Sequence, residues 1–211
     1  PPAAYAFYAL AYIPFAWAIV ALWPVIGGLR RTLGLREREP AADFLVLYRD
    51  DRTGLPKPSY DLWEERFGVA TFTAASVSGA LNSAAKFANL LGKKKSEVIY
   101  QEAAQGIRQA ILDHLYDHSA RRFCKLLRLS GDELHYDMTV DASTAHGLST
   151  FDILPPDDER LVREMGETEK ALNLSSGIGG LARYQNDAYN RSDASSIGNP
   201  WFITTLWFAQ Y

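Results

Sequence analysis

Cysteine is all but absent: Cys124 is the single one in 211 residues. An internal disulfide is therefore excluded, and no disulfide framework holds this fold together. One unpaired cysteine is compatible with a cytoplasmic home without requiring it. Excess charge of either sign is also missing. The 22 Lys and Arg nearly balance 25 Asp and Glu, for a net charge of −3, and nothing in that balance suggests a nucleic-acid partner. Low-complexity sequence is lacking too. With 47% apolar and 22% charged residues, the composition is that of a globular domain rather than a disordered or collagen-like chain. Aromatics, at 12% with five Trp and eleven Tyr, supply either core mass or flat surfaces for a ligand.

Charge is absent altogether from Ala3 to Leu29, where Arg30-Arg31 ends the gap. By length this stretch is a transmembrane candidate. Pro14 and Pro24 weaken it as one straight span, and no basic region precedes it as a secretory signal would require. One or two helices buried in a larger helical core is the preferred reading, so no membrane partner is assigned. The chain starts Pro-Pro without Met and stops at Gln210-Tyr211 inside an apolar pattern with no terminating signal. The expectation is an internal piece of a longer protein.

Ala41–Arg49 reads as a short helix running into a loop marked by Asp50, Asp51, Gly54, Pro56 and Pro58. Val69–Leu91 is Ala-rich, carries only Lys86 as a charge, and is stopped by Gly92. Ser96 is a candidate cap for the next helix, which runs to about Tyr116 with Val98, Ile99, Ala103, Ile107, Ala110 and Ile111 on one face. Residues 122–137 read as a small β-hairpin turning at Ser130-Gly131-Asp132. Thr139–Leu148 is a helix with one charge, Asp157–Leu172 a helix with nine, Gly177–Asn199 mostly loop, and Pro200–Tyr211 an uncharged helix. Charge-poor and charge-rich helices thus alternate. A charge-poor helix must be covered on most sides, whereas a charge-rich one can face water. The pattern predicts an inner and an outer layer of helices, an all-α toroid seen in part, with no parallel-sheet rhythm.

In Ser59-Tyr60-Asp61-Leu62-Trp63-Glu64-Glu65-Arg66, Asp61 and Glu64 stand at capping-box spacing, and on spacing alone a helix start is the simpler reading. The other reading is a carboxyl group beside a Trp ring, where loss of water raises its pKa toward that of a general acid at neutral pH. On a helix Glu64 and Glu65 would point in different directions and could not share one role.

The run TGLPKPSYDLWEERFGVATFTAASVSGAL resembles the acid-bearing segment of glycoside hydrolase family 15, the glucoamylases and their bacterial relatives. The resemblance continues through Val140-Asp141-Ala142-Ser143, LPPDDERL and Gly177–Tyr184 (GIGGLARY), and closes on Gly198–Phe202 (GNPWF). It covers roughly Ala41 to Tyr211 in the family's order. It implies part of an (α/α)6 barrel and inverting exo-hydrolysis of α-1,4-glucans with release of β-glucose. Glu64 matches the general acid. Leu62 (through its backbone), Trp63, Glu65, Arg183, Asp187 and Trp201 match the sugar-binding shell. A guanidinium fork beside a carboxylate suits hydroxyl recognition, because both groups are fixed and bond strongly. The partner implied is an α-glucan, with no metal or organic cofactor. The expected organisation is one incomplete catalytic domain over residues 1–211, with residues 1–40 matching poorly and carrying no site residue.

An inverting enzyme also needs a second carboxylate about 6.5–9.5 Å from the acid, with a water between. The resemblance places that base downstream of the GNPWF helix, beyond Tyr211, so the chain alone is expected to be inactive. The rival readings are an α,α-trehalase or an α-1,6-glucan hydrolase on the same barrel, and a noncatalytic sugar-binding toroid. Other signals read as structure. His114 and His118 lie at a helix end among acids, Lys93–Lys95 is a solvated turn, and the Gly177–Gly180 run follows no strand, so it is no dinucleotide fingerprint. Asn173 and Asn190 begin glycosylation sequons, which are common by chance.

Overall fold

The computed structural model describes residues 40–131, 133–174, 179–191 and 195–211. The charge-free stretch Ala3–Leu29 lies outside them, as do parts of the Gly177–Gly180 run and of both sequons. Among the described residues no helix is long and apolar enough to cross a membrane. Contacts divide the chain after Asp43, and Phe44–Tyr211 makes one compact unit, which is the one considered below.

Six helices are described: α1 (Pro40–Leu47), α2 (Thr71–Leu90), α3 (Lys94–His114), α4 (Ala142–Thr150), α5 (Glu159–Leu172) and α6 (Phe202–Ala209). Gly92 ends α2 as expected. At φ +70° it lets its own N–H reach the Asn89 carbonyl at 2.9 Å while the Lys93 N–H reaches that of Ala88 at 2.9 Å, the paired bonds of a Schellman motif. The three-residue link sends α3 back along α2. Buried alanines line both helices (Ala74, Ala75, Ala85 and Ala88 of α2; Ala103, Ala104 and Ala110 of α3), and the Ser78 hydroxyl donates to the Ala104 carbonyl across the seam at 3.0 Å. Ser96 is not the cap of α3. The helix starts two residues earlier behind Lys93, with no side-chain bond capping its first turn. By contrast, Asp141 and Asp158 cap α4 and α5, accepting from the N–H of Ser143 and Arg160.

The layering follows the charge alternation. α2 packs on α3 and on α4, and α4 packs in turn on α5 and on α6. The charge-poor α2, α4 and α6 are therefore neighbours, with the charge-rich α3 and α5 behind them. Gly147 of α4 makes this approach possible, since a Cβ there would lie 3.1 Å from the Phe72 backbone.

The β structure is larger than the single hairpin expected. Strands β1 (Ser59–Tyr60), β2 (Phe67–Ala70), β5 (Leu126–Ser130) and β6 (Glu133–Asp137) form an antiparallel sheet in the order β1-β2-β5-β6, while β3 (Tyr116–Asp117) pairs with β4 (Arg122–Phe123). Val69 and Ala70, expected to open a helix, instead pair with Leu127 and Leu126. Gly68 lets β5 come close, because a Cβ there would lie 2.8 Å from the Leu127 carbonyl oxygen.

Strand β2 runs straight into α2, Asp141 caps α4, and Trp201 stands at the N-cap of α6. Bridges Asp141–Tyr184 and Leu181–Trp201 join the connecting segments. The starts of α4 and α6 are thus tied through one connecting segment, and the predicted site residues sit in the segments that lead into α2 and α6.

Candidate active site

The segment Asp61–Arg66 is a hairpin turn between β1 and β2, not the helix start that the capping-box spacing suggested. The Asp61 N–H donates to the Arg66 carbonyl at 2.8 Å, and the Glu64 N–H donates to the Asp61 carbonyl at 3.0 Å. The buried Asp61 side chain accepts through Oδ1 from the N–H groups of Glu65 at 2.9 Å and Arg66 at 3.2 Å. Pairing of β2 with β5 supplies what local spacing could not show, since it commits the following residues to a strand.

At the turn Glu64 takes φ +59°, a left-handed conformation that costs a non-glycine residue energy and must be imposed by its surroundings. Its side chain is exposed and makes no hydrogen bond or ion pair among the described residues. The apolar shielding expected for an acid beside a Trp ring is therefore not provided by these residues. Leu62 is exposed beside it. Glu65, the next residue, turns its carboxylate to Arg183 and Tyr184 while its side chain stays 30% exposed.

Arg183 is the centre of the cluster. Its Nε donates to Asp187 Oδ2 at 2.7 Å, and its Nη2 donates to Asp187 Oδ1 at 2.8 Å and to Glu65 Oε1 at 2.9 Å. The rings of Trp63, Tyr184, Tyr189 and Trp201 lie 5.0–5.3 Å from its guanidinium carbon, a range over which cation–π attraction operates. The hydrogen bonds it donates to Asp187, against the opposing effect of burial, push the Arg183 pKa further up. Burial raises that of Asp187, yet the bonds from Arg183 and from the Tyr189 N–H outweigh it and hold the carboxyl below its ordinary range. The Tyr184 hydroxyl donates to Glu65 Oε2, and burial together with that bond pushes the phenol up.

The Trp63 indole N–H donates to Asp141 Oδ2 at 2.9 Å. Trp63 is also 6.1 Å from Trp207 of α6, which stacks on His146 of α4. The buried indole nitrogen of Trp201 finds no acceptor among the described residues, although its backbone N–H donates to the Leu181 carbonyl at 2.9 Å. Sequence reasoning missed Lys125, which lies 3.0 Å from Asp141 Oδ2 and 3.5 Å from Asp61 Oδ2. A lysine between Cys124 and Leu126, both fully buried, was the available signal, because a buried ammonium requires partners. Burial pushes the Cys124 thiol up to about 12, away from the range in which a thiolate forms at neutral pH.

The fold thus brings Trp63, Glu65, Arg183, Asp187 and Trp201 together, with Glu64 and Leu62 on the adjoining exposed rim. Four carboxylates (Asp61, Glu65, Asp141 and Asp187) pair with two cations, Lys125 and Arg183, and Glu64 adds a further negative charge at the rim. Such a surface disfavours anions and stabilises positive charge that develops nearby.

Residues 54–211 match the family described as Glycosyl hydrolases family 15. An uncharacterized glycosyl hydrolase of Methanocaldococcus jannaschii is 32% identical over 174 residues, covering 82% of this chain and 25% of that protein. A glucoamylase of Saccharomycopsis fibuligera is 27% identical over 190 residues, covering 82% of this chain and 35% of its own length. The chain therefore spans a quarter to about a third of these relatives. Among solved structures, the S. fibuligera glucoamylase superimposes with a TM-score of 0.59 at 20% identity over 82% of this chain and 37% of that one. A bacterial glucoamylase complexed with acarbose gives 0.56 at 18% identity, over 76% and 26%. These structures share the fold, the (α/α)6 toroid of which this chain builds a part. The chain belongs to glycosyl hydrolase family 15.

Proposed function

We propose that this chain carries the acid half of an inverting glucoamylase-like site. That site cleaves glucose from the non-reducing ends of α-1,4-glucans and releases it as the β-anomer. The observation that carries the reading is the convergence of Trp63, Glu65 and Arg183 beside Glu64, from segments far apart in the sequence, in a member of a glycoside hydrolase family. Glu64 protonates the glycosidic oxygen. Glu65 and Arg183 hold sugar hydroxyls, and the buried Asp187 fixes the Arg183 guanidinium for that task before the sugar arrives. Trp63 and Trp201 provide apolar faces, the Trp201 indole N–H has a hydrogen bond left to give, and the Leu62 backbone adds a polar contact at the rim. The excess of carboxylates favours the oxocarbenium-like transition state of glycoside hydrolysis.

The water-activating base comes from outside these 211 residues, so the chain by itself releases no glucose at a useful rate. Two carboxylates suffice for this reaction, and no metal or organic cofactor enters it. The test is made on the full-length gene product with maltotriose, isomaltotriose and trehalose in separate tubes, following anomeric protons by NMR from the first minutes. β-Glucose appears first from maltotriose, and Glu64→Gln lowers the rate roughly a thousandfold. α-Glucose appearing first would overturn inversion. Preference for trehalose or isomaltotriose would reassign the linkage, and no glucose from any of the three would make the protein a sugar-binding toroid.

A further inference from the structure

Lys125 joins β4 to β5, and its side chain is only 5% exposed. Two carboxylates hold its ammonium and a third acts on it electrostatically, each from a different element. Asp141 at the start of α4 lies 3.0 Å away and Asp61 of the β1–β2 turn 3.5 Å away. Asp137, at the end of β6, has its carboxyl held low mainly by Thr139 bonds that outweigh burial, with a contribution from Lys125. On the remaining side the ammonium rests 3.8 Å from the centre of the Tyr184 ring, and the Arg183 guanidinium carbon lies 5.3 Å from the same ring.

Each direct neighbour of Lys125 fixes a different part of the site. Asp61 pins the turn through the N–H groups of Glu65 and Arg66. Asp141 receives the Trp63 indole. Tyr184 donates to Glu65. Asp61 Oδ2 is buried without a hydrogen bond, so Lys125 is its compensating charge. Buried carboxylates left without a cation repel each other and take up protons rather than remain ionised.

We infer that Lys125 is a positioning residue for the acid. By holding Asp61 and Asp141 to one cation, it locks the turn that carries Glu64 against the start of α4. Lys125 touches no substrate, and the inference rests on the reading of Glu64 as the acid.

The test compares wild-type full-length protein with Lys125→Met and with Lys125→Met/Asp61→Asn. The asparagine keeps an oxygen for the turn amides while removing one buried charge. Two readouts are taken. One is amide hydrogen exchange in the peptide spanning residues 59–67, and the other is kcat on maltotriose across pH. In Lys125→Met the Glu65 and Arg66 amides exchange at least about tenfold faster near neutral pH, and kcat falls by a similar factor or more. Part of that loss is recovered at acidic pH, where a carboxylate takes up a proton. Asp61→Asn in the Lys125→Met background restores slow exchange and moves the profile back. Unchanged exchange and pH profile in folded Lys125→Met would overturn the inference, as would a double variant no better than the single one. If Lys125→Met does not fold, recovery of folding in the double variant supports the charge role, and failure of both overturns it. If wild type hydrolyses none of the sugars, the functional reading falls, and the exchange data still decide the role of Lys125.

Discussion

Arg183 grips Asp187 in the plane of its guanidinium, with Nε at 2.7 Å from Oδ2 and Nη2 at 2.8 Å from Oδ1. Asp187 is fully buried, so the pair is an all-or-nothing arrangement. A lysine cannot supply the fork and reach Glu65 as well. Arg183→Lys is therefore expected to destabilise the fold by about 2–4 kcal/mol and to raise KM sharply. Urea unfolding followed by steady-state kinetics on the full-length protein checks both. The pH dependence has a definite sign. Arg183 lowers the Asp187 pKa below its ordinary 3.8, so this stabilisation is present above that value and disappears as pH falls through the folded-state pKa.

Glu64 takes a backbone conformation that favours glycine. Glu64→Ala and Glu64→Gly both remove the carboxyl, but only the second relieves the left-handed strain. Relief of about 1–2 kcal/mol exceeds the extra entropy of an unfolded glycine, so Glu64→Gly is expected to be the more stable of the two by about 0.5–1 kcal/mol. Parallel denaturation curves measure the difference, and both variants should be without hydrolytic activity. Equal stabilities would mean that the surroundings hold the turn at no cost.

His146 stacks face to face on Trp207, centroids 4.2 Å apart and 4° from parallel. Burial lowers its pKa from 6.5 to about 4. Between those values the unfolded chain binds a proton that the folded chain refuses. Stability is thus complete above about 6.5 and declines as pH falls toward 4. His146→Phe keeps a stacking ring without the titration. Its urea midpoint is expected to change less between about pH 7 and 4.5 than that of wild type, and an equal change in the two proteins would contradict the assignment.

Much of this architecture is written locally. Gly92 announces the end of α2, and the lone charge in the Ala-rich segment marks α2 as a packing helix, although Phe87 and Leu90 in its last turn are exposed. The alternation of charge along the helices separates one layer from the other. The candidate site residues Trp63, Glu65, Arg183, Asp187 and Trp201 were legible through motif order, and the fold brings them together. What escaped has a common cause. The Asp61–Arg66 turn looks like a helix start because its true determinant, the pairing of β2 with β5, lies about sixty residues downstream. Lys125 passes for an ordinary strand lysine because both of its carboxylates belong to other elements. Ser96 looks like a cap, yet α3 begins earlier with no side-chain cap, where only backbone context sets the boundary.

Asp141 has one further consequence. A single carboxylate terminates α4 through the Ser143 N–H, receives the Trp63 indole and neutralises Lys125. Fraying of the first turn of α4 and loosening of Trp63 in the proposed sugar site are therefore the same microscopic event. Mild heating should impair ligand binding before the rest of the chain melts, and a bound sugar should in return slow the opening of a helix it touches only through Trp63.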